Sequence, residues 1–268
     1  MARAYKGGLS MNLRLTSLRT AATGLLIPAI VLIVWQLLGN AEKISVLLFP
    51  KPTLIFETLW SLLQSGELIG HLKISVTRTI TGFLLGGALG LFFGLVVGLF
   101  RHVERTLDPS FQMIRMVPHL AVTALFILWF GIGETSKVLL IAKGAFFPLY
   151  INTFLGIRNA DNKLFEVSKV LGFGHFKRTF LLAIPSSLPN IFLGIRLSLG
   201  IAWLSLVVAE LLGSTEGLGY MMMDARLLGR TSVVFVGILT FAVIGKSADS
   251  LVRYIERRSL RWRDSYTG

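Results

Sequence analysis

The sequence predicts an all-α membrane protein, with six transmembrane helices and a short cytoplasmic helix between the fourth and the fifth. Three observations carry that prediction. Of 268 residues, 53% are hydrophobic and 15% charged, with a mean hydropathy of +0.70, whereas soluble domains carry about 25% charged residues. The apolar residues come in long blocks instead of the short periodic faces of soluble helices. The 27 basic residues, against 14 acidic ones, lie mainly between and beyond those blocks. That is the pattern of membrane topology, not of a nucleic-acid-binding face.

A crossing helix needs about 20 apolar residues. Ala21 to Leu38 is the first candidate. It follows Arg3, Lys6, Arg14 and Arg19, as a secretion signal would, but it is long and lacks a small-residue cleavage site, so it is expected to stay as a span. Phe49-Pro50-Lys51-Pro52 and the amphipathic run Leu54 to Leu63 then predict a surface helix. Ile80 to Phe100 is the clearest span, 21 residues without a charge. Met116 to Ile132 is the third, with Pro118 and His119 near its start. The fourth runs from Val138 to about Ile157 and holds Lys143; the fifth is Ile191 to Leu212. Thr231 to about Leu251 is the sixth, interrupted by Lys246 and Asp249.

Six crossings place both termini on one side, and basic residues decide which. Lys and Arg number 18 in the N-terminal tail, the segments 101–116 and 158–190 and the stretch from Lys246 onward, against 7 in the other three connections. Both termini are therefore expected in the cytoplasm. The organisation is a tail at 1–20, one membrane domain at 21–251 containing the cytoplasmic loop 158–190, and a basic tail at 252–268.

Gly82, Gly86, Gly90, Gly94 and Gly98 recur every four residues, a ridge of small residues that lets helices approach closely where lipid supplies no hydrophobic drive. Charges at membrane depth are costly and default to functional candidates. Lys143, about 8 Å inside the outer end of its span, is placed to attract an entering anion. Arg196 and Lys246 lie near cytoplasmic ends and are expected to snorkel, Arg196 being also a pathway candidate; Glu210 lies near an outer end. His119 has no neighbouring ligand set and is expected to be a hydrogen-bonded structural histidine, so no metal is assigned.

The segment from Arg158 to Asn190 is too polar to span and too patterned to be a plain connector. Leu164, Val167, Val170 and Leu171 recur at helical spacing, Asp161 can cap the start, and Gly172 ends the helix. Phe165, Phe173 and Phe176 add bulky groups suited to a partner's cleft, or to the membrane surface. Glu166, then Gly172 at the seventh position, then Leu182-Ala183-Ile184-Pro185 resembles the EAA loop of the permeases of type I ATP-binding-cassette importers, with Val167 and Ser168 standing where that pattern has alanines. The stretches starting at Val117 (VPHLAVTALFILWFGIGETSK), Phe147 (FPLYINTFLGIRNAD) and Val208 (VAELLGSTEGLGYMMMDAR) look like the sulfonate, nitrate and taurine branch of those permeases.

The resemblance implies a homodimer of permeases, two cytoplasmic ATPase subunits, and a periplasmic or lipid-anchored solute-binding protein, in the bacterial inner membrane and its lipid. ATP and Mg would sit on the ATPases, with no cofactor on this chain. Glu166 would be the polar contact of the coupling helix, Val170 and Leu171 its apolar seat, Gly172 its turn, and Pro185 the return into the fifth span. The cargo implied is a small organic anion of the aliphatic sulfonate type, with nitrate or taurine as the alternatives. A secondary transporter would need a carboxylate relay at mid-membrane, which the sequence lacks. A membrane enzyme would need a nucleophile or metal motif; there is no HExxH, no GxSxG and no cysteine.

Overall fold

The computed structural model describes residues 26–160, 166, 168 and 170–260. Among them there is no strand. The helices are α1 (Leu26–Asn40), α2 (Pro52–Gln64), α3 (Glu67–Leu99), α4 (Arg101–Arg115), α5 (His119–Phe130), α6 (Glu134–Arg158), α7 (Ile184–Gly213), α8 (Leu218–Leu227) and α9 (Thr231–Ser259). The tail 1–20, the start of the first span and the end of the basic tail lie outside the described residues. So do Asp161, Leu164, Phe165 and Val167.

Four helices are long and apolar enough to cross a membrane, and a bent pair supplies a fifth if it counts as one span. α1, described from Leu26, is a shorter apolar helix. The predicted surface helix is α2: Pro52 opens it, where a missing N–H costs nothing. Its Ile55 and Leu62 are buried in a cluster with Leu68, Leu218, Met221 and Val236. Gly66, at φ 77°, makes the sharp turn into α3 that a side chain would resist.

Several boundaries differ from expectation, each for a local reason. α3 starts at Glu67, not Ile80, and its 33 residues reach roughly 50 Å by helical rise. The extra turns contain Arg78, whose charge is satisfied by carboxylates of other helices, so the helix can run on through it. The third predicted span is broken. α4 and α5 meet at 95°, because Pro118 biases Val117 away from helical geometry and caps α5 from an extended conformation. α5, at 12 residues, covers only about 18 Å.

The fifth span begins well before Ile191. A turn at His175–Arg178 and a π-helical stretch at Thr179–Ala183 lead into α7, so that Phe176–Gly213 is one helix of 38 residues. The π stretch lies directly before Pro185, where a ring without an N–H would clash with an ordinary α-helical ladder. The sixth span runs to Ser259, so the expected tail at 252 begins as helix; Lys246 and Asp249 do not interrupt it, since Asp249 is ion-paired on its own and a neighbouring helix.

The centre of the bundle is α6 held between α3 and α7 by glycines. A Cβ added at Gly82 would stand 2.6 Å from Ile141 Cβ, at Gly90 2.5 Å from the Phe146 carbonyl oxygen, and at Gly94 2.7 Å from Thr153 Cβ. Gly86 faces the Ala142 carbonyl and Gly98 faces Ile157, so all five members of the ridge lie on α6. On the opposite side, Gly194 of α7 packs on Asn152 and Gly156 of α6 on Asn190. The helices are as close as backbones allow, which is the packing that replaces hydrophobic drive in lipid.

Candidate functional site

Three places in this bundle hold the chemistry-bearing residues. The first is the segment between α6 and α7. Glu166, Ser168 and Val170 are helical, and Gly172 takes φ 72°. The Phe173 N–H donates to the Ser168 carbonyl at 2.9 Å, the bond that closes a helix over a left-handed glycine. The knuckle so formed presents its apolar groups outward: Val170 is 88% exposed, Leu171 64% and Phe176 79%. Glu166 is exposed on the same segment. Beneath it, Arg178 Nε donates to the Phe173 carbonyl and the Lys177 ammonium lies 4.8 Å from the Phe173 ring centre. Pro185 is half-buried at the start of α7.

The second is a charge cluster at the far end of the bundle that sequence reading did not find. Arg78 of α3 donates through Nε to Glu134 Oε2 at 2.7 Å and through Nη1 to Glu210 Oε1 at 2.9 Å and to the Glu216 carbonyl at 2.7 Å. Glu210 has no exposed side-chain surface. It also accepts from the Ser75 hydroxyl at 2.8 Å and the Gly219 N–H at 2.8 Å. Lys137 reaches Glu134 at 3.1 Å. The turn between α7 and α8 wraps the carboxylate: a Cβ on Gly219 would meet Glu210 Cβ at 2.7 Å. One arginine thus ties α3, α6, α7 and the turn together. Each partner satisfies a buried charge that would be costly alone. The signal available in the sequence was Arg78 two residues before the longest apolar run, opposite an acidic residue near the outer end of another span.

The third is a cavity of about 590 Å³ among the α4–α5 break, α6 and α7. Arg115, Val117, His119, Lys143 and Asn152 line it. Lys143 stands nine residues into α6, because that helix starts at Glu134 instead of Val138. This is roughly 14 Å from the helix start, deeper than the expected 8 Å. Its ammonium donates to the Val117 carbonyl at 3.1 Å. A hydrogen bond expected of His119 is not made by its Nε2, which is enclosed and has no partner among the described residues.

Of the three pathway candidates, Lys143 lines this cavity, Glu210 is enclosed in the Arg78 cluster, and Arg196 pairs with Asp249 of α9 at 2.9 Å and Glu256 at 3.6 Å. Arg196 lies twelve residues into α7, roughly 18 Å along it. It is an interhelical ion pair, not a side chain stretched to the membrane edge. At the end near the knuckle, α4 is tied to α6 by Arg158 on Glu104 and by the Tyr150 hydroxyl on Asp108 at 2.6 Å. The Phe111 ring fills the space between them against Phe146.

A glycine-locked helical bundle of membrane-crossing length, with an exposed apolar knuckle in one connection, is the form of a membrane transport subunit. Residues 86–261 match the model of the binding-protein-dependent transport system inner membrane component. The chain belongs to that family, the permeases of type I ATP-binding-cassette importers. A relative from Bacillus subtilis named as an aliphatic sulfonates transport permease protein is 57% identical over 245 residues, 91% of this chain and 89% of the relative. One from Escherichia coli with the same description is 44% identical, covering 90% and 91%. The taurine transport system permease protein of Escherichia coli is 33% identical, covering 87% of both chains.

Proposed function

We propose that this chain is the pore-forming permease of an ATP-driven importer for small organic anions of the alkanesulfonate type, working as one of two copies. The observation that carries the reading is the knuckle at Val170 and Leu171: two large apolar side chains held out by a closed helix end, on a segment continuous with the membrane domain. Exposed apolar groups in that geometry suit a cleft on a partner, with each buried side chain contributing about 1.5–3 kcal/mol. The partner is a cytoplasmic ATPase, which binds ATP and Mg and does the hydrolysis. This chain supplies the path.

With both termini and the segment 158–190 in the cytoplasm, the Arg78 cluster faces the outside, where a solute-binding protein delivers cargo. Closure of the ATPase pair on ATP draws the two knuckles together. The displacement passes up a helix of 38 residues, roughly 57 Å. α6 and α3 move with it, because glycine contacts leave no slack between them. Interfaces packed this tightly switch between discrete arrangements and do not bend gradually, which suits alternation between outward- and inward-open states. Glu166 serves as the polar contact of the knuckle, Gly172 as its turn and Pro185 as the start of the rigid helix.

The sulfonate class is supported by the descriptions of the relatives at 57% and 44% identity. At 33% the descriptions diverge, to taurine in one relative and riboflavin in another. The test is a transporter reconstituted with its ATPase and receptor, carrying Val170→Asp and Leu171→Asp. The expected result is loss of ethanesulfonate uptake and of receptor-stimulated ATP hydrolysis with the permease still folded. Full coupling in the double variant contradicts the reading.

A further inference from the structure

The cavity beside the α4–α5 break has an unbalanced chemistry. Arg115, His119 and Lys143 line it, and no carboxylate does. Among the described residues Lys143 has no acidic side chain within ion-pair distance; its one hydrogen bond goes to the Val117 carbonyl. That carbonyl is free to accept because Pro118 breaks the helix there. A cation inside a membrane bundle that is held by a neutral acceptor alone is poorly compensated. His119 Nε2 is a second debit: an enclosed polar atom with no partner costs about 1–3 kcal/mol. The Lys143 ammonium belongs to a cavity-lining residue, and an anion carrying several acceptor oxygens supplies its missing counter-charge; His119 lines the same cavity, with its Nε2 sealed from it.

The rest of the lining is apolar. Phe147 and Pro148 of α6 face Leu197 and Ile201 of α7, which are 47% and 41% exposed. At about 590 Å³ the cavity falls within the roughly 300–1,000 Å³ range of small-molecule sites. A polar, positive end and an apolar wall fit a small amphiphile with a monoanionic head and a short alkyl chain. The positive end of α5, which begins at His119, adds to the charge on that side.

We propose that this cavity is the anion-recognition site of the permease itself, with Lys143, beside Arg115, binding the oxygens of the headgroup and Phe147, Leu197 and Ile201 taking the tail. Selectivity is then exercised a second time inside the membrane, after the receptor has released its cargo. The assignment rests on the reading of the chain as an organic-anion permease.

The sequence has no cysteine, so Leu197→Cys, or Ile201→Cys as a second reporter, gives this chain one thiol in the cavity wall. The assembled transporter is treated with 2-sulfonatoethyl methanethiosulfonate or its trimethylammonium counterpart. Each thiol displaces methanesulfinate to form a mixed disulfide, read from the mass of the permease chain. Rates are divided by each reagent's rate with a free thiol in solution. The expected result is a preference for the anionic reagent of about tenfold, slowed labelling in ethanesulfonate, and loss of most of the preference in Lys143→Met. Lys143→Arg keeps it. Equal or cation-favoured labelling, a preference indifferent to Lys143→Met, or failure of both reagents to reach either thiol overturns the assignment. Ethanesulfonate uptake by the unsubstituted transporter separates the two readings. Charge preference without uptake retains the site and removes the sulfonate importer; uptake without charge preference does the reverse.

Discussion

Replacing Arg78 by methionine is expected to be among the most damaging single changes in the outer half of the bundle. The side chain is 5% exposed, and its loss strands Glu210, which has no exposed side-chain surface at all. Ser75 and the Gly219 N–H still donate to that carboxylate, but its one cation among the described residues is gone from a site closed to water. Breaking a buried pair from one side costs about 3–5 kcal/mol, most of it the uncompensated charge left behind. Glu134 loses less, because it is 61% exposed and keeps Lys137. The double variant Arg78→Met, Glu210→Gln removes the stranded charge and is expected to recover roughly half of the loss. The assay is a double-mutant cycle on unfolding in detergent micelles, with far-ultraviolet circular dichroism as the signal. A loss below about 1 kcal/mol for Arg78→Met, the size of an exposed ion pair, would refute the enclosed-cluster account.

Further outcomes follow from the packing and from the second ion-pair group. Gly90→Ala puts a methyl 2.5 Å from the Phe146 carbonyl oxygen. Restoring a 3.4 Å contact means parting α3 from α6 by roughly 0.9 Å, at a cost of about 1–3 kcal/mol. Gly87→Ala on the same helix meets its nearest atom, Leu149 Cδ2, at 3.6 Å, and is expected to be neutral or stabilising, so only Gly90→Ala should lower the unfolding midpoint. Arg196→Gln removes a half-exposed pair with Asp249 and should leave the KM for uptake unchanged, since Arg196 lies away from the Lys143 cavity; a raised KM measured in vesicles would return it to the pathway. Gly172→Val forces a branched side chain into φ 72° and is expected to lower receptor-stimulated ATP hydrolysis far more than it lowers permease yield, both read from the same purified complex.

Much of this architecture was legible in the residues. Hydropathy located the core of every long helix, because an uncharged run such as Ile80 to Phe100 has no other stable home. Four-residue glycine spacing pointed to close packing, and the structure supplies what spacing cannot, that the neighbour is α6. Boundaries were read less well, since hydropathy stops at a charge while a helix continues wherever that charge finds a partner. Arg78 was counted as part of a connection for that reason, and Asp249 as an interruption. Pro118 near the start of the third predicted span does not by itself announce a 95° break. Only the fold reveals that its consequence is a free carbonyl beside Lys143. His119 could not be judged from one chain of letters, because whether an imidazole nitrogen has a partner is a property of three dimensions.

The coupling role of the 166–172 segment can be measured most directly by proximity. In a chain with no natural cysteine, Val170→Cys and Leu171→Cys each provide one thiol on the exposed knuckle. A short thiol-to-amine crosslinker applied to intact cells is expected to join either position to an ATP-hydrolysing subunit, with the yield changing when nucleotide is trapped. Capture of lipid or of no protein at both positions, in cells that still take up the solute, would contradict it.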